Sequence, residues 1–173
     1  MSRKKPTAMP SAAAVRPFPV YLELKVGNGS KRALTQALER DGCYVGRCAR
    51  EMIARASFSA SERPRTLKIA RVQLSALGIT DWVTWSDVLK AATRAGGEKI
   101  TPDAATRLRL ELPDQQPGDH FWILMDPLIG PDGDPYVFYL ACHDDGERRL
   151  LGRYVSTIRR FYPHREIVFG LPG

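Results

Sequence analysis

The side chains best suited to chemistry in this chain are aspartates and histidines in turn-like stretches between residues 120 and 145. They are Asp126, Asp132, Asp134, Asp144, Asp145, His120 and His143. Carboxylates and imidazoles at strand ends can hold a divalent cation for hydrolysis or phosphodiester cleavage. Asp and Gly are also what turns select for conformational reasons, and the Asp-rich run at 131–135 lacks the final acid of a calcium loop. We therefore interpret these aspartates as turn residues and assign no catalytic or metal-binding residue. A metal-dependent hydrolase is kept as an alternative.

Cysteine offers a second candidate site. Cys43, Cys48 and the Cys142-His143 pair could in principle form a zinc quartet, but the spacing of Cys43 and Cys48 is wider than the usual pairs. Cys48 falls on the apolar side of an expected helix, where a free cysteine behaves as a small hydrophobic residue. The sequence thus favours no metal and no cofactor.

A glycine turn precedes the first expected helix. Gly27-Asn28-Gly29 is followed by Ser30-Lys31-Arg32, and backbone amides at a helix start bind anions. The complete phosphate-loop and dinucleotide patterns are absent, so an ordinary strand-to-helix turn is the favoured interpretation.

Arginines interleaved with aromatics are the most suggestive pattern. Residues 148–165 combine cations with Tyr154, Phe161 and Tyr162, as do proteins that bind phosphate backbones and single strands. A solvated sheet face is the competing interpretation. Two expected helices near the N-terminus add further cations. The predicted nucleic-acid-binding residues are Lys31, Arg32, Arg47, Arg50, Arg55, Arg153, Arg159, Arg160 and Arg165.

Charge is sorted along the chain. Residues 1–71 hold 15 Lys and Arg against 5 Asp and Glu, a balance of +10. Residues 72–146 hold 5 against 12, or −7, and residues 147–173 hold 6 against 2, or +4. Such asymmetry bears on partners rather than on the fold. It indicates two basic flanks around an acidic middle.

The N-terminal half predicts one strand and a helical hairpin. Residues 20–26 are β-rich, 31–40 carry apolar residues at helical spacing after Ser30, and 46–56 have an apolar side opposite three arginines. A strand at 66–74 follows. A helix then runs from the capping-box-like Thr84-Trp85-Ser86-Asp87 to Ala95. Thr101-Pro102-Asp103 predicts at most one further helical turn.

From residue 107 the pattern predicts strands. The candidates are 107–112, 120–125, 136–142, 148–154 and 166–169, and the links between the first four are rich in Pro, Asp and Gly. Such links are typical of an antiparallel meander. The predicted class is α+β: an N-terminal strand and helical hairpin, then a helix and a C-terminal antiparallel β-meander.

Three regions are expected: a disordered basic arm at 1–17, a strand and helical-hairpin subdomain at 18–65, and an α+β domain at 66–173. The arm is broken by prolines and has no acid, so it cannot bury enough apolar surface to offset ordering entropy. Deleting residues 1–17 should therefore leave the melting temperature nearly unchanged. A loss of several degrees in a thermal denaturation scan would show that the arm is docked.

Composition narrows the class of protein. Three cysteines cannot form a closed disulfide framework, which favours a reducing compartment. The basic start at Ser2–Lys5 resembles a signal peptide but has no apolar run behind it, and no stretch approaches the ~20 apolar residues of a membrane span. We expect a cytoplasmic protein with no membrane partner.

Short motifs spread over residues 19–170 form a recognisable pattern. In the N-terminal half they are 19–21, 25–29, 37–38 and Gly42; in the C-terminal half they are 108–110, 114–118, 132–135, 137–138, 144–146 and 168–169. In these motifs the chain resembles a widespread uncharacterised family of small bacterial proteins. This chain departs from the family in its extra Gln116 and in lacking a Trp between Arg153 and Tyr162. The resemblance implies one coherent bacterial module and transfers no catalytic residue.

These observations predict a non-enzymatic binding or accessory module of a bacterial or mobile-element system. Its expected partner is nucleic acid, contacted at the phosphate backbone, or a nucleic-acid-bound complex. The alternative is a protein-interaction or inhibitor module whose acidic middle meets a basic surface.

Overall fold

A computed structural model describes residues 18–27, 29–55, 57–60 and 63–173. The predicted arm at 1–17 lies outside the described residues. Four α-helices occur in this part of the chain: α1 (Lys31–Asp41), α2 (Arg47–Ala54), α3 (Trp85–Arg94) and α4 (Pro102–Leu110). The strands are β1 (Leu22–Val26), β2 (Tyr44–Val45), β3 (Arg65–Gln73), β4 (His120–Ile123), β5 (Leu128–Ile129), β6 (Pro135–Cys142), β7 (Arg148–Tyr154) and β8 (Glu166–Gly170). A 3₁₀ helix spans Leu74–Leu77.

All eight described strands belong to one sheet. Its order is β1-β3-β8-β4-β6-β7-β2, and β5 pairs with β6 beside this path. The pairings are antiparallel except β4 with β8 and β2 with β7. The four helices of the described residues precede β4, the strands β4 to β8 follow without an intervening helix, and the predicted α+β class is confirmed.

Local sequence signals set the helix ends. The Ser30 side chain accepts from the backbone amide of Ala33 at the start of α1, and Gly42 ends α1 in the left-handed region at φ 72°. At α3, Thr84 and Asp87 exchange hydrogen bonds in a complete capping box. Two of the predicted helix starts are therefore confirmed at the level of individual hydrogen bonds.

The predicted strand at 107–112 is wrong. Most of that segment is the C-terminal part of α4, which begins at Pro102 and runs for nine residues instead of the single turn expected. Arg107-Leu108-Arg109-Leu110 alternates between charged and apolar residues, which imitates a strand if both arginines are taken to face water. Arg109 is instead buried together with its neighbour Leu108, so the alternation carries no information about exposure.

The predicted meander is right for three strands. β4, β6 and β7 are neighbours with antiparallel pairing. The last strand, β8, does not extend this meander. It lies between β3 and β4, so that it joins the first part of the chain to the second. The two-residue strand β2, which sequence reasoning missed, pairs in parallel with β7 at the far edge.

Helices pack against both faces of the sheet. Gly152 of β7 lies under α2, where an added Cβ would meet Cys48, Ala49 and Met52. This close approach places α2 against the Gly152 side, which we call the helix side. On the opposite side, Trp85 of α3 contacts Trp122 of β4, with ring centroids 6.1 Å apart.

Both predicted structured regions contribute strands to this sheet, because β1 pairs with β3 and β2 pairs with β7. The division at residue 65 stays a prediction. Within the described ranges, no helix has the length and apolarity needed to cross a bilayer.

Candidate nucleic-acid interface

Three of the predicted arginines gather over one half of the sheet, on the side opposite α2. In the register of β6 and β7, Arg153 pairs with Val137 and Tyr139 pairs with Leu151, whereas Gly152 pairs with Phe138. Because side chains alternate along a strand, Arg153 and Tyr139 point away from α2. His120 and Arg153 are exposed there, so this half of the sheet is open to solvent. We call Arg153, Arg159 and Arg165, together with the buried rings of Tyr139 and Trp122 on the same side of the sheet, the arginine face.

Two guanidinium groups of this face lie over aromatic rings. The Cζ atom of Arg153 is 5.0 Å from the Tyr139 ring centroid, and that of Arg159 is 5.4 Å from the Trp122 ring. Among the described residues, no carboxylate lies within ion-pair distance of Arg153, Arg159 or Arg165. Cation–π contact positions a guanidinium without neutralising it. These charges therefore remain available to an anion.

The charges of Arg153 and Arg165 act on Arg159. Partial burial, reinforced by the positive charges of Arg153 and Arg165, lowers the pKa of Arg159. Burial raises the pKa of Tyr139, while the charges of Arg153, Arg165 and Arg159 oppose that rise. Because these like charges repel one another, binding of an anion among them is electrostatically favourable.

A row of packed aromatic rings lies beneath the guanidinium groups of the arginine face. Tyr139 and Trp122 have centroids 5.0 Å apart, Trp122 and Phe161 are separated by 4.8 Å, and Phe161 lies 5.3 Å from Trp85. Phe161 is 2% exposed and belongs to the segment 156–165 that carries Arg159 and Arg165. Its burial anchors the segment, so both arginines project from a fixed support.

Arg160, which is also in the segment 156–165, lies over a different ring. Its Cζ atom lies 4.5 Å from the ring centroid of Trp82, whose side chain is exposed. The backbone of Val83 bridges to Phe161, which brings Trp82 beside the segment. Arg160 therefore extends the basic surface beyond Trp122.

Most of the predicted cations in and beside α1 and α2, on the helix side of the sheet, have hydrogen-bond or ion-pair partners within the protein. Lys31 Nζ donates to the carbonyl of Arg55 at 2.7 Å, and Arg55 in turn donates to that of Gly130 at 2.9 Å. Arg50 Nε donates to the carbonyl of Val45 at 3.0 Å, and Arg47 pairs with Glu51 at 3.2 Å. The structure thus separates this group from Arg153, Arg159 and Arg165.

A groove of about 540 Å³ runs between α1 and α2. Its apolar lining includes Leu38, Val45 and Ile53, and Lys31 and Arg50 also border it. Arg32, the remaining predicted cation, also lines this groove. The N-terminal basic residues therefore surround an apolar depression rather than an aromatic surface.

The turn aspartates engage in local hydrogen bonds. Asp132 accepts from the backbone amide of Asp134 and from the Tyr136 hydroxyl, and Asp145 accepts from the amide of Glu147. Asp126 pairs with Lys99. In the parts of the chain that the structure describes, no group of three or more His, Cys, Asp and Glu side chains is arranged to hold a metal ion. The contacts of Asp132 and Asp145 are those of turn residues, whereas Asp126 forms an ion pair with a residue distant in sequence.

The other two candidate sites are the cysteines and the glycine turn. Cys43, Cys48 and Cys142 are free thiols, and burial raises the pKa of Cys43. In the glycine turn, the carbonyl of Gly27 accepts from Arg107 at 3.1 Å, which ties the turn to α4. Asn28 lies outside the described residues.

Sequence reasoning missed Tyr44 and left Arg149, although part of the Arg-rich stretch, out of the predicted binding residues. Tyr44 of β2 is exposed, and the Cζ atom of Arg149 lies 5.3 Å from its ring centroid. The pairing of β2 with β7 creates this contact. The available signal was Arg149 itself, which lies in the same Arg-rich stretch, but nothing in the sequence places Tyr44 beside it.

Comparison with known proteins gives no family and no homologue from which a function could be transferred. The resemblance of residues 19–170 to the uncharacterised bacterial family gains no support there. No protein-family model matches this chain, and no curated protein or solved structure matches it.

Proposed function

We propose that this protein is a non-enzymatic binding or accessory module that contacts nucleic acid through the arginine face. The observation that carries the proposal is the grouping of Arg153, Arg159 and Arg165 around Tyr139 and Trp122, with no described carboxylate paired to them. Unpaired guanidinium groups beside aromatic rings suit a ligand that is both anionic and aromatic. Nucleic acid is the abundant polymer with both properties. A bacterial or mobile-element system is the proposed setting.

The acidic middle supports the proposal indirectly. Several of its carboxylates are engaged within the fold: Asp119 with Arg71, Asp126 with Lys99, and Asp87 in the α3 cap. The positive charge of the arginine face is consequently not offset by these acids. The competing protein-interaction hypothesis needs the same carboxylates to be available to a partner, and these three already have internal partners.

The test measures binding of fluorescently labelled oligonucleotides by anisotropy across a range of salt concentrations. We expect micromolar or weaker, sequence-tolerant binding that falls steeply with salt, because bound cations release counterions from the phosphates. Replacing Arg159 and Arg160 with Ala should reduce the slope of log K against log salt by about 1.4 for a single strand.

A matched control removes the same number of charges from the helix side. The double variant Arg32→Ala/Arg47→Ala should bind with nearly the wild-type slope. Equal losses in the two variants would show that binding does not use the arginine face. No binding of any oligonucleotide at low salt would overturn the proposal and favour the protein-interaction module.

A further inference from the structure

We infer that the ligand of the arginine face is a single strand with unstacked bases, DNA or RNA, and that exposed rings at both ends of the face stack on its bases. The inference rests on the proposed function and adds the class of nucleic acid and the residues that select it. Three exposed aromatics carry it: Tyr44, Trp82 and Tyr162.

Each of these rings lies beside a nitrogen-bearing side chain. Arg149 lies over Tyr44 at 5.3 Å, Arg160 over Trp82 at 4.5 Å, and the His164 imidazole stacks with Tyr162 at 6.1 Å. Tyr44 is 46% exposed and Trp82 45% exposed, so each ring retains surface that a base could cover. Tyr139 and Trp122 are more than nine-tenths buried and therefore serve as supports for the arginines instead.

The ring and cation pairs define a path across the sheet, in the order of the strands and the segment that carry them. It begins at Tyr44 on the edge strand β2 and passes Arg149 of β7. It then crosses the Arg153–Tyr139 pair to the Arg159–Trp122 pair, and ends at Arg160 and Trp82. Exposed rings thus lie at its two ends, Tyr44 and Trp82, and Arg153 and Arg159 lie between them, whereas Arg149 is paired with Glu147 at 2.7 Å. A strand with bases at two positions and phosphates between them fits this order.

A duplex could contact the arginines of this surface but could not stack on its exposed rings. Its bases are stacked on one another inside the helix, so it can offer phosphates to the arginines but no base face to Tyr44 or Trp82. A single strand can offer both, and base–aromatic stacking tolerates any sequence because every base has a π-face. The exposed rings thus give a preference for single strands that the arginines alone would not.

The experiment compares four labelled ligands with equal numbers of phosphates: oligodeoxyuridylate, oligouridylate, an abasic strand and a mixed-sequence duplex. We expect one or both of the base-bearing single strands to bind at least tenfold more tightly than the abasic strand and the duplex. Because oligodeoxyuridylate and oligouridylate share the same base, a difference between them identifies DNA or RNA as the ligand.

The ring variant Tyr44→Leu/Trp82→Leu removes two stacking surfaces and no charge. It should weaken single-strand binding by roughly tenfold or more while leaving the salt slope unchanged. The matched control is Tyr21→Leu, an exposed tyrosine beside the opposite edge strand β1, which should bind like the wild type. Melting temperatures verify that the variants are folded.

The outcomes separate the two proposals. Equal affinity for duplex and single strands, or unchanged binding by the ring variant, would overturn the stacking inference and leave the proposed function standing. Absence of binding to all four ligands at low salt would overturn both.

Discussion

Replacing Arg109 with Ala should lower the free energy of unfolding by about 3–5 kcal/mol. Arg109 is completely buried, and its guanidinium donates to the carbonyls of Leu112 at 2.7 Å, Ala141 at 3.3 Å and Arg149 at 3.4 Å. It also donates to the Gln115 side chain. Loss of these donors leaves buried carbonyls unsatisfied and opens a cavity, and each effect is destabilising.

The measurement is urea denaturation followed by circular dichroism, with Arg94→Ala as the control. Arg94 is an exposed arginine in the last turn of α3, and its replacement should change stability by less than ~0.5 kcal/mol. Arg109→Lys should also be strongly destabilising, because one ammonium cannot reach the separate acceptors that a planar guanidinium joins. A near-wild-type midpoint for Arg109→Ala would mean that water or a repacked side chain satisfies the carbonyls.

Replacing Arg71 with Met should destabilise the fold by about 1–3 kcal/mol and alter its response to acid. Arg71 lies in β3, where its guanidinium hydrogen-bonds to Asp119 and Glu166, and its Cζ atom is 4.5 Å from the Phe121 ring centroid. Although burial disfavours its charge, the hydrogen bonds to Asp119 and Glu166 raise the pKa of Arg71. In Arg71→Met, the neighbouring carboxylates of Asp119 and Glu166 lose the cation that pairs with both of them.

The acid response follows from Asp119. Its hydrogen bond from Arg71 lowers the pKa of this carboxyl in the folded protein, although partial burial opposes the change. The folded state therefore binds this proton less readily than the unfolded state does. The resulting stabilisation is complete above the unfolded pKa of about 3.9 and is lost as the pH falls through the lower folded pKa.

Denaturation midpoints measured from pH 7 down to pH 2 check this linkage. Part of the wild-type loss of stability below about pH 4 should be absent from Arg71→Met, which has already lost the ion pair. Asp119→Asn should resemble Arg71→Met in this range. If wild type and variant lose stability in parallel, Asp119 does not govern the acid response.

Sequence patterns predicted the elements that depend on neighbours along the chain. Ser30 and Thr84 begin helices by hydrogen bonds within a single turn, and a short polar turn at 143–147 joins β6 to β7. The prediction was wrong at α4, where the destination of Arg109 depends on distant carbonyls in β6 and β7. When hydrogen bonds to distant segments bury a charged residue, the spacing of polar and apolar residues along the sequence does not show that burial.

The candidate interface was foreseeable only in part. The Arg-rich segment at 148–165 was visible in the sequence, but the grouping of Arg153 with Arg159 depends on how β7 and the following segment cross Tyr139 and Trp122. The separation of these residues from Arg47 and Arg50 depends on the side of the sheet that α2 covers. Strand order and layer placement arise from packing between distant segments, which spacing alone does not encode.

The position of β8 has a consequence for synthesis of the protein on the ribosome. It is the last strand in the chain, yet it lies between β3 and β4 and is hydrogen-bonded to both. The pair β1–β3 and the group β4–β6–β7 can emerge and pair internally while each still exposes one unpaired edge. Until residue 170 leaves the exit tunnel, those edges are available to chaperones or to neighbouring nascent chains. Nascent chains released before β8 should therefore be prone to aggregation and efficiently cleared by proteases.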